Sequence, residues 1–386
     1  MIDRNPAVRM SVWLLLMVLL PTAGVLRGQE PRPNEARPAE IDFHKAGELL
    51  RRQRAGEKLT PDEDAYLRRA REARQKATSR PGSRVTPRET TGLIPLNQMT
   101  AADRYQGEDG GLYGAGRNEP PAAHLHAAQL ELARIQPLAA NGEPDMQGQV
   151  VFLSISMSNA TQEFSRFKRL ADREPQRARH LTIVDGAQGG QAMAEWARPQ
   201  APPWTEAERR IAAAGVTSRQ VQVAWIKPAN KSPTGDLAEH GQRLRRDTLA
   251  VLQEAKRRFP NLRIAYLSSR IYGGYAAGNL NPEPYAYESA FVVRWLIQAQ
   301  MAGDAELNYL AERGPVRVPL LLWGPYLWAD GTTPRASDQL TYTRDDLAGD
   351  GTHPSNQGQE KVARLLLDFF QHDPLASSWF RERRPQ

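Results

Sequence analysis

Five short, largely apolar runs in the second half of the chain constrain its fold more than any other feature. Each run has strand length without regular polar alternation, which is typical of parallel strands that helices cover on both faces. Helical patterns separate the runs, and this alternation predicts a three-layer α/β/α sandwich around a five-stranded, mostly parallel sheet with right-handed crossovers. The predicted strands are 150–155, 181–184, 221–226, 264–267 and 318–323, and helical patterns include 241–259, 286–301 and 357–371.

The first 28 residues are typical of an export signal. Arg4 and Arg9 precede an apolar run over 12–20, and a small-residue, helix-breaking stretch suited to a signal peptidase follows at 21–24. The run is shorter than the ~20 apolar residues that a membrane span needs. We therefore predict export to the periplasm, the cell envelope or the medium. The alternative is an uncleaved N-terminal anchor, since no clean Ala-x-Ala site is present.

Residues 29–91 form a charged segment for which the pattern predicts a helical hairpin and a flexible linker. The two helices are expected over 43–54 and 61–76. Thr60 and Glu63 have the spacing of a reciprocal helix cap. Glycines and aromatic residues are frequent in the next segment, 92–147, for which we predict an ordered extension packed on a catalytic domain that spans 148–386.

Charge and composition exclude several classes of function. Of the 51 basic and 44 acidic residues, 18 and 12 fall within residues 1–90, so the rest of the chain is close to neutral. A nucleic-acid partner is not expected, because its basic patch would lie on the folded domain. The chain has no cysteine, which removes thiolate chemistry, and its 7 histidines are scattered, so we predict no metal site.

Reactive or small residues follow the predicted strands, at the sheet edge where ligands bind in α/β folds. Ser158 and Asn159 follow the first strand, and Asn230 follows the third. Asp350 lies three residues before His353 on one loop. A serine becomes a nucleophile when a base takes its proton, and a histidine base needs an acceptor that fixes its tautomer. A lone Ser-Asn pair would equally be a helix cap, so the Asp350 and His353 spacing carries more weight.

In order, four segments resemble the four sequence blocks of the SGNH or GDSL hydrolase superfamily, over about residues 148–372. They are most similar to its sialate and carbohydrate O-acetylesterase branch. Asp-x-x-His-Pro-Ser is the most specific of the four matches. Two positions depart from the family pattern, since Ser156 and Pro228 stand where the family has glycine. The matching segments are 156–159, 185–191, 228–230 and 350–355.

The resemblance implies a flavodoxin-like SGNH fold and hydrolysis of an ester through an acyl-enzyme, with neither metal nor organic cofactor. Ser158 would be the nucleophile, His353 the base and then the acid, and Asp350 the residue that orients His353. An oxyanion hole would follow from the backbone N–H groups of Ser158 and Gly190, with Gly189 as the competing assignment. The side-chain amide of Asn230 would complete it.

Substrate preference is the least constrained prediction. We expect a small-molecule or polysaccharide ester, with O-acylated, in particular acetylated, carbohydrate preferred. The alternative is a catalytically inactive SGNH-like module that binds carbohydrate or envelope material. Trp and Tyr side chains at the later strand ends are expected mainly to seal the interface between helices and sheet. Residues expected to bind substrate are Asn159, Gln191, Arg270, Tyr285 and Glu288.

Overall fold

A computed structural model of the chain describes residues 43–54, 57–78 and 86–382. The predicted export signal or anchor over residues 1–28 lies outside the described residues, as does part of the predicted linker. The described residues belong to two units, Met1–Ala77 and Thr78–Gln386.

The first unit contains two helices, α1 (Phe43–Arg54) and α2 (Pro61–Thr78), in the stretches where the sequence predicts them. Thr60 precedes α2, and its hydroxyl accepts a hydrogen bond from the Glu63 N–H at 3.3 Å. In return, the Glu63 carboxylate accepts from the Thr60 N–H at 2.9 Å. This reciprocal cap satisfies two N–H groups that would have no partner within the helix.

The second unit is built on a five-stranded sheet in which every neighbouring pair is parallel, with the order β2-β1-β3-β4-β5. This confirms the predicted α/β fold. The last strand begins two residues later than predicted, because Pro319 has no N–H to donate to the sheet. The strands are β1 (Val150–Ile155), β2 (Leu181–Asp185), β3 (Val221–Ile226), β4 (Ile264–Leu267) and β5 (Leu320–Trp323).

Helices cover both faces of this sheet, as right-handed crossovers from a reversing strand order require. On one face α4 (Ser158–Ala171) packs against α9 (Asn356–His372), and on the other α7 (Gln242–Arg258) packs against α8 (Tyr285–Met301). None of the helices in the described part of the chain combines the length and the apolar character needed to cross a membrane. The helices of this unit are α3 (Ala122–Ala133), α4 (Ser158–Ala171), α5 (Met193–Trp196), α6 (Pro202–Ala213), α7 (Gln242–Arg258), α8 (Tyr285–Met301), α9 (Asn356–His372) and α10 (Ser377–Phe380).

A buried aromatic cluster fixes α4 and α9 on the sheet. Phe152 of β1 is fully buried, and its ring contacts Phe164 of α4, Phe370 of α9 and Trp379 of α10 with ring centroids 4.8 to 5.2 Å apart. Burying a Phe side chain stabilises a fold by about 1.5–3 kcal/mol. Because α4 begins three residues after β1 ends, this packing also positions the turn between them.

From β1 the chain continues to β2 at one edge of the sheet, and from β3 it continues through β4 to β5 at the other edge. The strand order therefore reverses between β1 and β3. In α/β sheets a crevice opens at such a point, beyond the carboxyl ends of the strands. Residues that follow β1 and β3 are therefore placed at the natural ligand site of this fold.

Residues 86–147 supply partners for charged groups buried in the second unit. Tyr105 and Gln106 donate to the Glu288 carboxylate at 2.6 and 2.7 Å. Arg294, which is 1% exposed, donates to the backbone oxygen of Asp109 at 2.6 Å and forms an ion pair with Glu108. These contacts hold the segment against α8.

Candidate active site

The turn from β1 into α4 presents Ser158 at the carboxyl edge of the sheet. Met157 has extended backbone dihedrals, and Ser158 is the first residue of the helix. The Ser158 N–H donates to none of the described residues, since the first N–H groups of a helix lack a partner within it. A half-buried hydroxyl and an unpaired N–H therefore occupy one position at the helix start, where the helix dipole favours negative charge.

The Ser158 hydroxyl is joined to a histidine and a carboxylate by two successive hydrogen bonds. Its Oγ lies 2.8 Å from Nε2 of His353, and Nδ1 of His353 lies 2.5 Å from Oδ2 of Asp350. A carboxylate can only accept, so the proton between these two residues belongs to Nδ1. This leaves Nε2 as an acceptor for the serine O–H, which is the tautomer that can remove the serine proton.

Asp350 is held as a carboxylate by its hydrogen bonds. Its Oδ1 accepts from the backbone N–H groups of Thr352 and His353, each at 3.0 Å. Burial acts to raise the pKa of Asp350, but hydrogen bonds from the His353 ring and from both N–H groups outweigh it and lower the pKa to about 2. Asp350 is therefore ionised throughout the neutral pH range.

Three contacts hold the loop that carries Asp350 and His353. The Ala277 N–H donates to the Asp350 backbone oxygen at 2.9 Å, and the Asn159 side chain donates to that of Thr352 at 2.8 Å. Gly351 has φ +66°, and a Cβ there would lie 1.7 Å from the Tyr275 backbone oxygen. Only glycine fits this position, so the short loop depends on it.

The loop after β2 lies beside the serine turn. The Gln188 N–H donates to the Ser156 backbone oxygen at 3.0 Å, which ties the two segments together. Gly189 and Gly190 follow and are exposed, and neither N–H donates to any residue in the described part of the chain. Gly190 has φ +78°, a conformation that favours glycine. Both predicted donors of this loop are thus available to a ligand.

Asn230, predicted to donate its amide to the oxyanion, has other partners. Its amide nitrogen donates to Asp247 at 2.5 Å, and its amide oxygen accepts from the Ala194 N–H at 2.9 Å. These two bonds fix the amide plane and leave one of its two amide protons for another acceptor. The structure does not join Asn230 directly to Ser158 or His353.

Ser156 stands at one of the two departures from the family pattern, and its hydroxyl does not enter the site. The residue is fully buried, and its Oγ donates to the Lys227 backbone oxygen at 2.7 Å. The Ser156 backbone oxygen accepts from the Trp196 ring at 3.1 Å as well as from Gln188. The extra side chain therefore links the ends of β1 and β3.

Three of the residues predicted to bind substrate are instead buried in the protein. Asn159 and Arg270 are each 2% exposed, and Glu288 is fully buried. Asn159 holds the histidine loop, and Arg270 lies against Met157. Glu288 accepts from residues 105 and 106 and is also hydrogen-bonded to the His240 ring. These environments do not support direct substrate contact.

Gln191 and Tyr285, the other two predicted substrate-binding residues, are half-buried. The Tyr285 ring packs edge-on against the His240 ring, with centroids 4.8 Å apart. Aromatic residues at the later strand ends are buried, as expected for side chains that seal the interface between helices and sheet. They include Tyr272, Trp323, Tyr326 and Trp328.

Two polar groups next to the site were not singled out from the sequence. Asp185, at the end of β2, accepts from the hydroxyls of Ser154, Thr161 and Ser165, each at 2.6 Å. Lys227 follows β3 and is fully buried in an ion pair with a glutamate of α4. Burial lowers the pKa of Lys227 to about 8, against the attraction of its partner. The sequence does contain a signal for Asp185 and Lys227, because each is a charged residue directly at the end of an apolar run.

Within the described residues, no three His, Asp or Glu side chains form a group that could hold a metal ion.

Comparison with known proteins gave matches only among solved structures. No family model and no curated protein matches the chain. A candidate acylhydrolase of Bacteroides fragilis is 15% identical, with 64% of this chain and 95% of that chain covered and a TM-score of 0.30. The periplasmic domain of a lipopolysaccharide acetyltransferase from Salmonella ser. Paratyphi A is 12% identical, with 63% and 94% covered and a TM-score of 0.31.

A gut microbial diltiazem-metabolizing enzyme is 16% identical, with 57% of this chain and 46% of that chain covered and a TM-score of 0.31.

Proposed function

We propose that the protein is a serine ester hydrolase of the SGNH type that acts through an acyl-enzyme. The observation that carries this proposal is the unbroken chain of hydrogen bonds from Ser158 through His353 to Asp350. A serine that only caps a helix would not require a histidine next to its hydroxyl. It would also not require a carboxylate that fixes the tautomer of that histidine.

In the first half of the reaction, Ser158 Oγ attacks the ester carbonyl carbon while its proton passes to His353 Nε2. The carbonyl oxygen becomes an oxyanion in a tetrahedral intermediate. When the intermediate collapses, the bond to the alcohol oxygen breaks, and His353 Nε2 returns the proton to that oxygen. The products are a free alcohol and an acyl ester of Ser158.

Water completes the cycle by the same route. Nε2 of His353 takes a proton from a water molecule as it attacks the acyl carbon. Collapse of the second intermediate breaks the bond to Ser158 Oγ, which recovers its proton, and releases the carboxylic acid. Asp350 stays ionised and stabilises the imidazolium form of His353 in both halves.

Backbone N–H groups of Ser158 and Gly190 would bind the oxyanion, since neither donates to a described residue. The remaining amide proton of Asn230 is a third donor, and Gly189 remains the alternative to Gly190. Removing one such donor costs a serine hydrolase about 3–4 kcal/mol of transition-state stabilisation.

For the substrate we propose an O-acylated, in particular acetylated, carbohydrate, acted on outside the cytoplasm. The motifs around Ser158 and Gly190 support the carbohydrate preference through their resemblance to the O-acetylesterase branch. The apolar run over residues 12–20 supports export. Trp323 and Trp328 at the strand ends are buried, so sugar rings would not stack on them.

A fluorophosphonate probe tests the nucleophile directly, because it loses fluoride and forms a phosphorus–oxygen bond only with an activated serine. We expect an adduct on Ser158 by peptide mass spectrometry, absent in Ser158→Ala and strongly reduced in His353→Ala. Ser337→Ala is the matched control, since that serine is exposed and its hydroxyl contacts Asn97 and Asp338 and not the catalytic residues. A folded protein without any adduct would contradict the proposal.

That same outcome would favour the alternative, an inactive module that binds carbohydrate or envelope material. The two functions separate on Ser158→Ala, which abolishes turnover in an esterase and leaves the ligand affinity of a binding module unchanged. Release of acetate from acetylated glycans then tests the substrate class. Turnover of lipid or aryl esters alone would exclude the carbohydrate preference.

A further inference from the structure

A cavity of about 270 Å³ lies beyond the end of β3, next to Asn230. Its wall includes Asn230, the start of α7 and the loop before α8. The volume is just below the ~300 Å³ at which pockets for drug-sized ligands begin. A single sugar-sized unit is therefore the size of ligand that suits it.

Two loops connect this cavity to the catalytic residues. Lys231 lines it and donates to the Gly190 backbone oxygen at 3.0 Å, which links it to the loop of the oxyanion donors. On the other side, the loop that binds the Asp350 backbone through Ala277 continues to Asn281, which also lines the cavity. The cavity and the catalytic residues thus share these two loops.

The wall contains a buried polar group that lacks a partner. Asn281 is 4% exposed, and its amide oxygen has no hydrogen-bond partner among the described residues. Its amide nitrogen makes only a long contact, 3.4 Å, to the Asn230 backbone oxygen. Leaving a buried acceptor unpaired is costly, and a ligand hydroxyl in the cavity would remove that cost.

The backbone around the cavity has unusual conformations. Asn281 has φ +69° and Ser232, also in the wall, has φ +48°. Leu237–Gly241 forms a π-helical turn, and His240 from this turn reaches the cavity. Left-handed non-glycine residues and π-helical turns both concentrate at functional sites.

Two residues behind the wall, one buried and one half-buried, hold His240 in place. The buried Glu288 carboxylate is hydrogen-bonded to its Nε2, and Tyr285 packs against its ring. Glu288 and Tyr285, which the sequence predicted to bind substrate, therefore affect this cavity through the position of His240.

Charge in the wall is predominantly positive. Lys231, Arg243 and Arg246 line it, whereas Asp247 is its one acidic residue. Lys231 forms an ion pair with Glu195 at 2.7 Å. The Asp247 carboxylate accepts a hydrogen bond from the Asn230 side chain. Arg246 is exposed, and Arg243 lies three residues before it on the same helix. The Arg243 guanidinium donates to the backbone oxygen of Thr234, which also lines the cavity.

We propose that this cavity binds the alcohol part of the ester and that this part is a sugar ring carrying a negatively charged group. Asn281 and the hydroxyl groups of the wall would bind ring hydroxyls, and Arg243 with Arg246 would bind the charge. The inference rests on the proposed esterase function, whose substrate class it makes more specific.

Two probes separate charge from ring shape: a monoacetylated methyl glucuronoside and the methyl glucoside acetylated at the same position. We expect kcat/KM to favour the acidic probe, and Arg246→Ala to lower the acidic-to-neutral ratio about five- to tenfold through KM. Arg245→Ala is the matched control, because Arg245 pairs with Asp304 at 3.5 Å and does not line the cavity. It should retain the wild-type ratio.

A second variant reports on the ring hydroxyls. Asn281→Gly removes the amide while tolerating the positive φ, and should weaken binding of both glycosides. Calorimetric titration in the Ser158→Ala background measures this binding without turnover. Equal acidic-to-neutral ratios in wild type and Arg246→Ala would overturn the inference, as would turnover of 4-nitrophenyl acetate without either glycoside. A folded wild type that hydrolyses none of the three esters would contradict the esterase function itself.

Discussion

A neutral imidazole carries its proton on one nitrogen, and the partner of that nitrogen decides which one it is. In this protein Asp350 accepts from Nδ1 of His353, so Nε2 faces Ser158 without a proton. The same carboxylate also accepts two backbone N–H groups through its other oxygen. One residue thus fixes both the tautomer of the histidine and the shape of its loop.

Replacing Asp350 by Asn tests this role with little change in volume. The Asn amide nitrogen would face Nδ1 as a donor and favour the tautomer whose proton lies on Nε2. That histidine cannot take the serine proton, so kcat should fall by about 10⁴-fold with KM little changed. Steady-state kinetics on 4-nitrophenyl acetate measures both. A fall of less than tenfold in a folded variant would remove Asp350 from the proposed mechanism.

Asp350 also predicts a pH dependence of stability. Its pKa is lowered from the ordinary 3.8 to about 2. A lowered carboxyl pKa stabilises the folded state above the unfolded pKa, and the contribution is lost as pH falls through the folded pKa. The stability advantage of wild type over Asp350→Asn should therefore shrink between about pH 4 and pH 2. Urea unfolding along a pH series measures it, and an advantage as large at the acid end as at its start would contradict the assignment.

At the scale of elements, the position of Ser158 depends on how α4 is held against β1 and β2. Aromatic packing of Phe152 fixes the body of the helix. Near its start, the Asp185 carboxylate joins three hydroxyls, from Ser154 in β1 and from Thr161 and Ser165 in α4. Burial raises the pKa of Asp185, although these hydrogen bonds act against the shift. The carboxylate therefore connects three elements around the nucleophile.

Substitutions of Asp185 should separate hydrogen bonding from charge. Asn can accept from Ser154 and donate to the two α4 hydroxyls, so Asp185→Asn should change the free energy of unfolding by less than about 1 kcal/mol. Asp185→Ala leaves all three hydroxyls without this partner and should cost about 3 kcal/mol or more, with reduced turnover. Chemical denaturation of both variants measures the difference. Equal stability of the two would show that the network does not hold α4.

At the scale of the whole molecule, residues 86–147 complete a core whose charged groups come from α8. Glu288 and Arg294 are buried, and residues 105–109 supply their partners. A buried charge that loses its partner costs about 3–5 kcal/mol, which is a large part of the stability of a domain. We therefore expect the segment to be required for folding.

Two truncations test this requirement. Residues 78–386 contain every residue of the proposed site, so this fragment should fold and hydrolyse esters at the rate of the full chain. Residues 148–386 lack the hydrogen-bond partners of Arg294 and the donors Tyr105 and Gln106 of Glu288, and should be insoluble or unfolded by circular dichroism. A stable, active 148–386 fragment would show that the buried charges find other partners.

Local patterns in the sequence determined the sheet, five of the ten described helices and the residues to examine for catalysis. Strands buried on both faces must be apolar along their length, so five runs were visible without any tertiary information. The later start that Pro319 imposes on β5 has an equally local cause. Asp350 and His353 lie on one loop, so their spacing could be recognised in the sequence. Ser158 could be recognised because it lies shortly after a predicted strand.

Tertiary structure alone decided which polar side chains face a ligand. Glu288 is covered by Tyr105, which lies 183 residues earlier in the chain, and no local pattern encodes such a contact. Arg270 and Asn159 are buried for the same kind of reason, by elements that meet only in the folded protein. The meeting of Ser158 with His353 across 195 residues is likewise a product of the sheet, because parallel strands bring their distant carboxyl ends to one edge.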